Sequence, residues 1–463
     1  MRPATPVGAA PALGLLCAAF FMVVLDSTSI FTALPLIGAD LAMTPTALAW
    51  VVAVYGVVVA GFLLPFGRMA DILGRRRVFL AAVAVFGLGS LGCGLATSGA
   101  VLIAARAVQA IGAAALTPAA LALLLALYPE GPRRNRALGV WGGLGGIGAT
   151  AGLLLGGLVT DRLGWSWIFL INIPVCLLVV LLTPRWLPES KKLGHRRLDL
   201  VGGALVSAAL MLLVLGLLAV PVSGWAPRVW LPLTFSAAIA AAVVVVERRS
   251  TDPILPARLF QSRALVVGNI VVVASGICVD GLLTLTTVYA QQVLGLTSLA
   301  FGLILAAMTL SSVLAVAYGQ RMVTRHGLRS VAPVGLAMLA IACASFTALP
   351  ADDAGVPLLI GGLLVFGVGM GAAFVAGQIG AVSDIDPDDA GAASGLEETS
   401  FMIGSTLGVV IVTAVAATVA GTTGADSPPQ IEGLRAAFAT LAVIAAAGAV
   451  AASVAFPKTT SAV

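Results

Sequence analysis

The stretch FGRMADILGRRRVF, Phe66–Phe79, places one aspartate and four arginines between two long apolar segments. Each flanking segment runs for about 20 residues, which lets an α-helix cross the roughly 30 Å of hydrocarbon in a bilayer. Within the charged stretch, Gly67, Asp71 and Gly74 come in that order ahead of Arg75. The stretch therefore predicts a short charged loop between two membrane-spanning helices.

The composition supports the same class of protein. Of the 463 residues, 60% are hydrophobic and 10% are charged, and the mean hydropathy is +1.09. A soluble core cannot absorb so much apolar surface, so a helical membrane protein with many spans is expected. The formal charge of +5 would suggest nucleic acid in a soluble protein. Here the basic residues lie in short gaps between spans, where they orient the chain, and no nucleic-acid partner is predicted.

Apolar segments recur along the whole chain and predict fourteen spans. They are 12–36, 48–69, 78–97, 100–126, 138–160, 165–187, 200–220, 229–246, 264–290, 299–319, 330–349, 356–380, 399–421 and 434–456. Basic clusters occupy every second gap, so the positive-inside rule places both termini in the cytoplasm. The first segment follows only Arg2 and lacks a convincing cleavage site, which favours a retained span over a signal peptide.

A faint internal repeat suggests two similar halves. GRMADILGR has a counterpart in QRMVTRHGLR, which begins at Gln320 after the tenth predicted span. Repeated halves of this kind are a common construction of membrane transporters. We predict a six-helix N-terminal half at 1–190, two linker helices with their loops at 191–260, and a six-helix C-terminal half at 261–463.

Further motifs occur in a consistent order along the chain. They are LDSTSIFTALP around Asp26, LAWVVAVY entering the second span, GWSWIFLINIP at 164–174, RLDLVGG at 197–203 and DPILPARLF at 252–260. Together with the charged loop they resemble the major facilitator superfamily, and within it the fourteen-helix drug:proton antiporter branch. The resemblance covers nearly the whole chain. It departs at Phe31 and Ser166, where the branch usually has asparagine and arginine.

The resemblance implies an all-α polytopic membrane fold of two six-helix halves plus two extra central helices. It implies multidrug efflux, in which lipophilic, cationic compounds leave in exchange for protons by alternating access. In the family the charged loop is a cytoplasmic latch, which assigns a gate role to Gly67, Asp71, Gly74, Arg75 and Arg76. The expected partners are a small substrate, protons and the bilayer of a bacterial cytoplasmic membrane. A monomer without cofactor or metal is expected.

Two more motifs extend the resemblance into the fourth and fifth spans. ARAVQAIGAAALTP carries Arg106 and Gln109, and a charge at membrane depth should face a cavity or a partner. In the fifth span three glycines four residues apart share one helix face and permit close helix approach. Gly157 belongs to the family motif as well, so the candidate packing residues are Gly148, Gly152, Gly156 and Gly157. The family has proline where this chain has Leu153.

Few acids lie at membrane depth, and each is a candidate for proton or substrate binding. We predict that Asp26 couples transport to protons and that Arg106 tunes a neighbouring acid. The predicted substrate-binding groups are the acids Asp280, Glu397 and Glu398 with Gln109, and the pocket walls Phe31, Tyr55, Trp141, Tyr289 and Phe374.

Structural roles remain open for the acids of the C-terminal half. Asp280 could pair with a hydroxyl or a helix end, and Glu397 and Glu398 could lie at a solvated helix start favoured by the helix dipole. The aspartates just before them are expected in a solvated loop: Asp384, Asp386, Asp388 and Asp389.

Two other transport functions fit the same residues, whereas an enzyme or a receptor fits them less well. A dedicated exporter of one antibiotic or metabolite, or a proton-coupled importer, would share these features. An intramembrane enzyme is disfavoured because His195 and His326 lie in basic gaps, without metal spacing or a phosphate-binding loop. A receptor would usually carry a soluble signalling domain. The five cysteines are isolated inside apolar segments and predict neither disulfides nor a metal site.

Overall fold

The computed structural model describes residues 9–189, 200–223, 226–247, 253, 255–296, 298–350, 355–419 and 431–456. This part of the chain is helical and contains no strand, as expected for an all-α fold. Its α-helices are α1 (Ala9–Asp40), α2 (Pro45–Leu73), α3 (Arg75–Gly94), α4 (Gly99–Leu127), α5 (Pro132–Leu163), α6 (Trp167–Leu170), α7 (Asn172–Trp186), α8 (Leu200–Ser223), α9 (Pro227–Glu247), α10 (Arg263–Val288), α11 (Ser298–His326), α12 (Leu328–Phe346), α13 (Gly355–Ala381), α14 (Ala390–Val419) and α15 (Ile431–Ala455). Short 3-10 helices at Ala257–Gln261 and Pro387–Asp389 precede α10 and α14, and a π-helical turn at Tyr289–Val293 follows α10.

The spans agree with those expected from the sequence. Within the described residues, thirteen helical segments are long and apolar enough to cross a membrane, and α6 with α7 forms one of them. The apolar stretch of α8, Val201–Leu217, is shorter. Together they account for the fourteen predicted segments. The basic gap at 190–199, with His195 and the predicted boundary at 190, lies outside the described residues.

The charged stretch between the second and third spans is helical on both sides of one glycine. Gly74 has a φ of 103°, which ends α2 and begins α3 in a single residue. A side chain is strained at this φ, so glycine is required at the turn. Asp71 therefore belongs to the last turn of α2, and Arg75 is the first residue of α3. The predicted loop is in fact a sharp corner between two helix ends.

The helices pack as two bundles and a pair. Helices α1–α7 contact one another and form what we name the N-terminal bundle, and α10–α15 form the C-terminal bundle. Helices α8 and α9 pack against each other, and α8 also contacts α2 and α14. The bundles meet along two seams: α14 packs against α2 and α4, and α5 packs against α11 and α13. The predicted division into two halves and a linker, with its boundaries at 190 and 260, stays a prediction.

Glycines on one face of α5 let it approach α1 closely. A β-carbon on Gly148 would lie 3.1 Å from Val24, and one on Gly156 would lie 2.8 Å from the Ser29 side chain. At Gly152 a β-carbon would lie 2.6 Å from the backbone oxygen of Leu25. Gly157 differs, because a β-carbon there would meet no atom within 4 Å. Gly157 lies about 100° around the helix from Gly156 and so is off the face that packs on α1. The packing role predicted for Gly157 is not seen in this structure.

Candidate functional site

The N-terminal bundle buries a cluster of polar side chains around Asp26 of α1. The Asp26 carboxylate accepts hydrogen bonds from Nη1 of Arg106 at 2.8 Å, Nε2 of Gln109 at 2.9 Å and Nδ2 of Asn172 at 2.8 Å. Gln109 also donates to Oγ of Ser90 at 2.7 Å and accepts from Arg106 at 2.7 Å. Asp26 and Arg106 are each 1% exposed. The carboxylate thus joins α1, α4 and α7, and Gln109 extends the network to α3 through Ser90.

The Arg106 guanidinium is held by more than its ion pair. Its Nε donates to the backbone oxygen of Val51 at 3.4 Å, and its Cζ lies 4.2 Å from the centre of the Tyr55 ring. The Phe169 ring is 5.7 Å away. A desolvated cation over an aromatic face gains about 2 kcal/mol. These contacts from α2 and α6 fix the arginine where the Asp26 carboxylate meets it.

This arrangement can link a proton to a change in packing. A buried arginine and carboxylate are stable together, and removing the charge of one leaves the other uncompensated. A proton on Asp26 would remove the charge that holds Arg106. Because Asp26 is closed to solvent here, proton exchange requires the surrounding helices to shift. The cluster can therefore act as a charge switch.

A second acid, Asp280, lies in α10 of the C-terminal bundle and is half-buried. The hydroxyl of Ser405 in α14 donates a hydrogen bond to its Oδ2. The two helices come close because Gly276 faces the backbone of α14 and Gly404 faces the backbone of α10. Among the described residues, no basic side chain forms an ion pair with Asp280. The hydroxyl contact is one of the structural roles expected for this acid.

Glu397 and Glu398 lie in the third turn of α14. Glu397 is 1% exposed, and its Oε2 has no hydrogen-bond partner. Gln378 of α13 contacts it, and the Oε1 of that glutamine is also buried without a partner. Glu398 is half-buried. The solvated helix start considered for this pair does not apply to Glu397, which lies inside the protein.

The seam between α2 and α14 contains a latch built on Asp71. Its Oδ1 accepts from the backbone N of Gly391 at 2.9 Å, and its Oδ2 from that of Ala392 at 3.1 Å. Arg75 holds the same carboxylate through Nη2 at 2.9 Å. Anionic groups are favoured at the amino end of a helix, where backbone N–H groups are free. Gly67 packs directly on Gly391, and a β-carbon on either would meet the backbone of the other.

A second ion pair crosses this seam, and here the acid belongs to the C-terminal side and the arginine to the N-terminal bundle. Asp389, just before α14, accepts from Nη1 of Arg68 in α2 at 3.1 Å. It also accepts from Nε and Nη2 of Arg258 at 2.5 and 2.9 Å. Hydrogen bonding to Asp389 raises the pKa of the Arg258 guanidinium above its ordinary value. The expected solvated position is wrong for Asp389, which is 0% exposed because two arginines pair with it.

The seam between α5 and α11 is closed at the same end of the molecule. Asn135 donates to Oγ1 of Thr324 at 3.1 Å, and Arg134 donates to the backbone oxygen of Val382. We name this end, where the described basic connections lie, the basic end. Among the described residues, Arg76 makes no hydrogen bond or ion pair between the bundles; it donates to the backbone oxygen of Leu187 at 3.1 Å within the N-terminal bundle. The gate role expected for Arg76 stays a prediction.

Comparison with known proteins agrees with this architecture. Residues 16–302 and 268–462 match the family model described as Major Facilitator Superfamily. The chain belongs to this superfamily. It is 38% identical over 431 residues to the cephamycin export protein CmcT of Amycolatopsis lactamdurans, covering 91% of this chain and 87% of that protein. It is 34% identical to the multidrug resistance protein Stp of Mycobacterium tuberculosis, covering 86% and 74%, and 37% identical to the puromycin resistance protein pur8 of Streptomyces alboniger, covering 87% and 81%.

The fold is shared with a solved structure. The human organic anion transporter MFSD10 (TETRAN) superposes with a TM-score of 0.67 over 96% of this chain and 99% of that one. The sequences are 16% identical, so this match shows the fold alone. Membership of the major facilitators makes the chain a multi-pass membrane transporter rather than a member of an enzyme family.

The aromatic residues predicted as pocket walls of this major facilitator do not lie together. Trp141 is fully buried and stacks on Phe20 with 4.1 Å between ring centres. Tyr289 is fully buried, and its hydroxyl donates to the backbone oxygen of Pro350 at 2.6 Å, which is a packing role at one end of α10. Phe31 is 52% exposed, and Phe374 lies edge-on to a neighbouring ring. Tyr55 alone among the five contacts the Asp26 cluster, through Arg106.

A cavity of about 580 Å³ lies elsewhere, between α10, α14 and α15. Its lining is almost wholly apolar, with Asn269 and Ser400 as polar members. Ser400 donates to Oδ1 of Asn269 at 2.8 Å. The lining includes no predicted substrate residue of this major facilitator.

Sequence reasoning missed Asn172 and Ser90, which complete the Asp26 cluster. Asn172 lies inside GWSWIFLINIP, a motif already recognised, and an uncharged amide within an apolar run was a usable signal. Ser90 had no comparable signal, because serine is common in membrane helices and bonds its own backbone. Asp389 and Arg258 were also missed, since they are 131 residues apart in the chain.

Proposed function

We propose that this major facilitator is a proton-coupled multidrug efflux transporter that exports lipophilic, cationic compounds by alternating access. Its relatives support export: one is a cephamycin export protein, and others are multidrug and puromycin resistance proteins. The bacterial sources of these relatives support a bacterial membrane. We also propose that the basic end faces the cytoplasm with both termini, because basic connections stay on that side.

The observation that carries the proton coupling is the buried Asp26–Arg106 pair with its two amide donors. An acid inside a membrane protein that is paired and closed to solvent is a candidate relay group. In the proposed cycle, Asp26 gains a proton when the cluster opens to the outside. The proton neutralises the carboxylate and loosens Arg106, and its release on the cytoplasmic side restores the ion pair.

In the same proposal the acids of the C-terminal bundle attract the substrate. Asp280 has a carboxylate with a hydroxyl partner and no arginine among the described residues, so its charge is available to a cation. Glu397 has a buried oxygen without a partner. A binding region with few charges and mainly apolar walls recognises bulky lipophilic molecules by burial and shape. Phe374, half-buried beside α5, is a candidate wall residue.

A narrower function is the second candidate. The relative at 38% identity is named for export of one antibiotic class, and another at 30% identity is named a tetracenomycin C resistance and export protein, from Streptomyces glaucescens. The chain could thus export a single compound through the same proton-coupled site. The two candidates differ only in the breadth of substrates.

The test uses everted membrane vesicles with an acidic interior, to which lipophilic cations and neutral drugs are added one at a time. Proton release for several cations, lost in Asp26→Asn, is the expected result. Asp161→Asn is the matched control, because Asp161 is exposed at the end of α5. Release for one compound would support the dedicated exporter. Coupling that persists in Asp26→Asn would overturn the assignment of the proton site.

A further inference from the structure

The pair formed by Arg258 and Asp389 joins two parts of the chain that no motif connects. Arg258 lies in the short 3-10 helix Ala257–Gln261, between the α8–α9 pair and α10. Its guanidinium binds both oxygens of the Asp389 carboxylate, at 2.5 and 2.9 Å. Such two-pronged contacts fix a carboxylate in position as well as in charge.

The same carboxylate also meets the other bundle. Arg68 of α2 binds Oδ1 of Asp389 at 3.1 Å, so that one oxygen is shared between the two arginines. When the basic end opens, Arg68 leaves with the N-terminal bundle. Asp389 is 0% exposed here, and a carboxylate without a partner is costly to bury. Arg258, which is 44% exposed in its side chain, remains with Asp389 on the C-terminal side.

The segment around Arg258 is seated on the start of α14. Leu259 is 3% exposed and packs with Leu265, Ala392 and Ala393. The last two residues directly follow Gly391, whose backbone N binds Asp71 of the N-terminal bundle. The segment therefore touches the residues that form the latch. Its position is not that of a free surface loop.

We propose that Arg258 is a positioning residue of the gate, which orients Asp389 so that Arg68 of the N-terminal bundle can dock when the basic end closes. The segment that follows the two extra helices thereby takes part in closure. This proposal rests on the alternating access of the proposed function. It is independent of which substrate or ion is carried.

The experiment measures the closed fraction directly. Spin labels are attached to Arg136→Cys in α5 and Ser330→Cys in α12, both exposed at the basic end, while the five native cysteines are buried. Distances between the labels are measured by pulsed electron spin resonance on the full chain in lipid nanodiscs. Arg258→Gln is expected to lower the ratio of closed to open molecules about fivefold. Arg258→Lys keeps the charge but not the two-pronged contact. Its ratio of closed to open molecules should fall between those of the wild type and Arg258→Gln.

Two controls separate positioning from a general effect. Arg263→Gln removes a nearby exposed arginine and is expected to leave the distance distribution unchanged. In an Asp389→Asn background, Arg258→Gln should have no further effect, because its partner is already altered. The proposal is overturned if Arg258→Gln behaves as Arg263→Gln does, or if its effect is as large without the Asp389 charge.

The measurement needs neither drug nor proton gradient, so its failure is distinguishable from failure of the proposed transport function. If the glutamine variant does not fold, the lysine variant decides the question alone. A wild-type distance distribution for Arg258→Lys would then count against the proposal.

Discussion

Asp26 and Asp280 are the same residue type in the central parts of α1 and α10, the first helices of the two bundles, yet their surroundings differ. Asp26 accepts from an arginine and two amides and is 1% exposed. Asp280 accepts from the hydroxyl of Ser405 and is half-buried. One carboxylate is enclosed by donors and the other is left with much of its charge unmatched.

The difference suggests two tasks for two acids. A carboxylate enclosed by a guanidinium can change its charge only when its neighbours rearrange, which suits coupling a proton to a conformational change. A carboxylate with one hydroxyl partner still needs a countercharge, which suits a cationic substrate. On the proposed function, the two bundles would therefore divide the chemistry of exchange between them.

The strongest way to break the comparison is Arg106→Gln. It leaves the buried Asp26 carboxylate without its cation, which typically costs about 3–5 kcal/mol, so a large fall in thermal stability and loss of export are expected. Thermal unfolding in detergent, with gradient-driven export in vesicles, measures both. Arg136→Gln, which alters an exposed arginine, is the control.

The double variant Arg106→Gln with Asp26→Asn should recover much of that stability, because no buried charge is then unpaired. Export should stay absent, since the exchangeable carboxyl is gone. Stability of Arg106→Gln equal to that of Arg136→Gln would mean that the ion pair does not hold the cluster together.

The sequence was sufficient for the spans and for the main charged residues of the site. Charges at membrane depth are rare, so Asp26 and Arg106 stand out in any reading, and the gate role expected for Asp71 came from the family resemblance of its loop. The structure adds the donor atoms: the backbone N of Gly391 and Ala392.

What could not be read from the sequence depends on packing between distant segments. Asn172 is uncharged, and its contact with Asp26 depends on how α7 lies against α1. Asp389 lies in an acidic run that resembles a solvated loop, and its burial follows from arginines that precede it by 321 and 131 residues. Trp141 and Tyr289, predicted as pocket walls, are fully buried for a similar reason, because their burial is decided by distant neighbours.

A second, smaller effect would sharpen the comparison. Asp280→Asn removes a charge without changing side-chain volume, and we expect the KM for a lipophilic cation to rise about tenfold. The KM for a neutral drug should change by less than about twofold, because no charge attraction is lost. Proton coupling should persist, since the Asp26 cluster is untouched. Vesicle uptake at several substrate concentrations gives these values.

The control for this variant is Glu432→Gln, which removes an exposed acid at the start of α15. An equal loss for neutral and cationic substrates would mean that Asp280 supports the structure instead of binding the cation. Loss of proton coupling would mean that both acids take part in proton exchange, and the division of tasks would fail.

The smallest expected effect comes from Ser405→Ala, which removes the hydroxyl donor of Asp280. A single hydrogen bond contributes about 0.5–1.5 kcal/mol, so the KM for a cation should change about threefold. Thr406→Val is the matched control, because that hydroxyl donates to Met402 within its own helix. If Ser405 acts by orienting Asp280, its removal should have no effect in the Asp280→Asn variant. An unchanged threefold effect there would instead show that Ser405 acts on the substrate itself and not through Asp280.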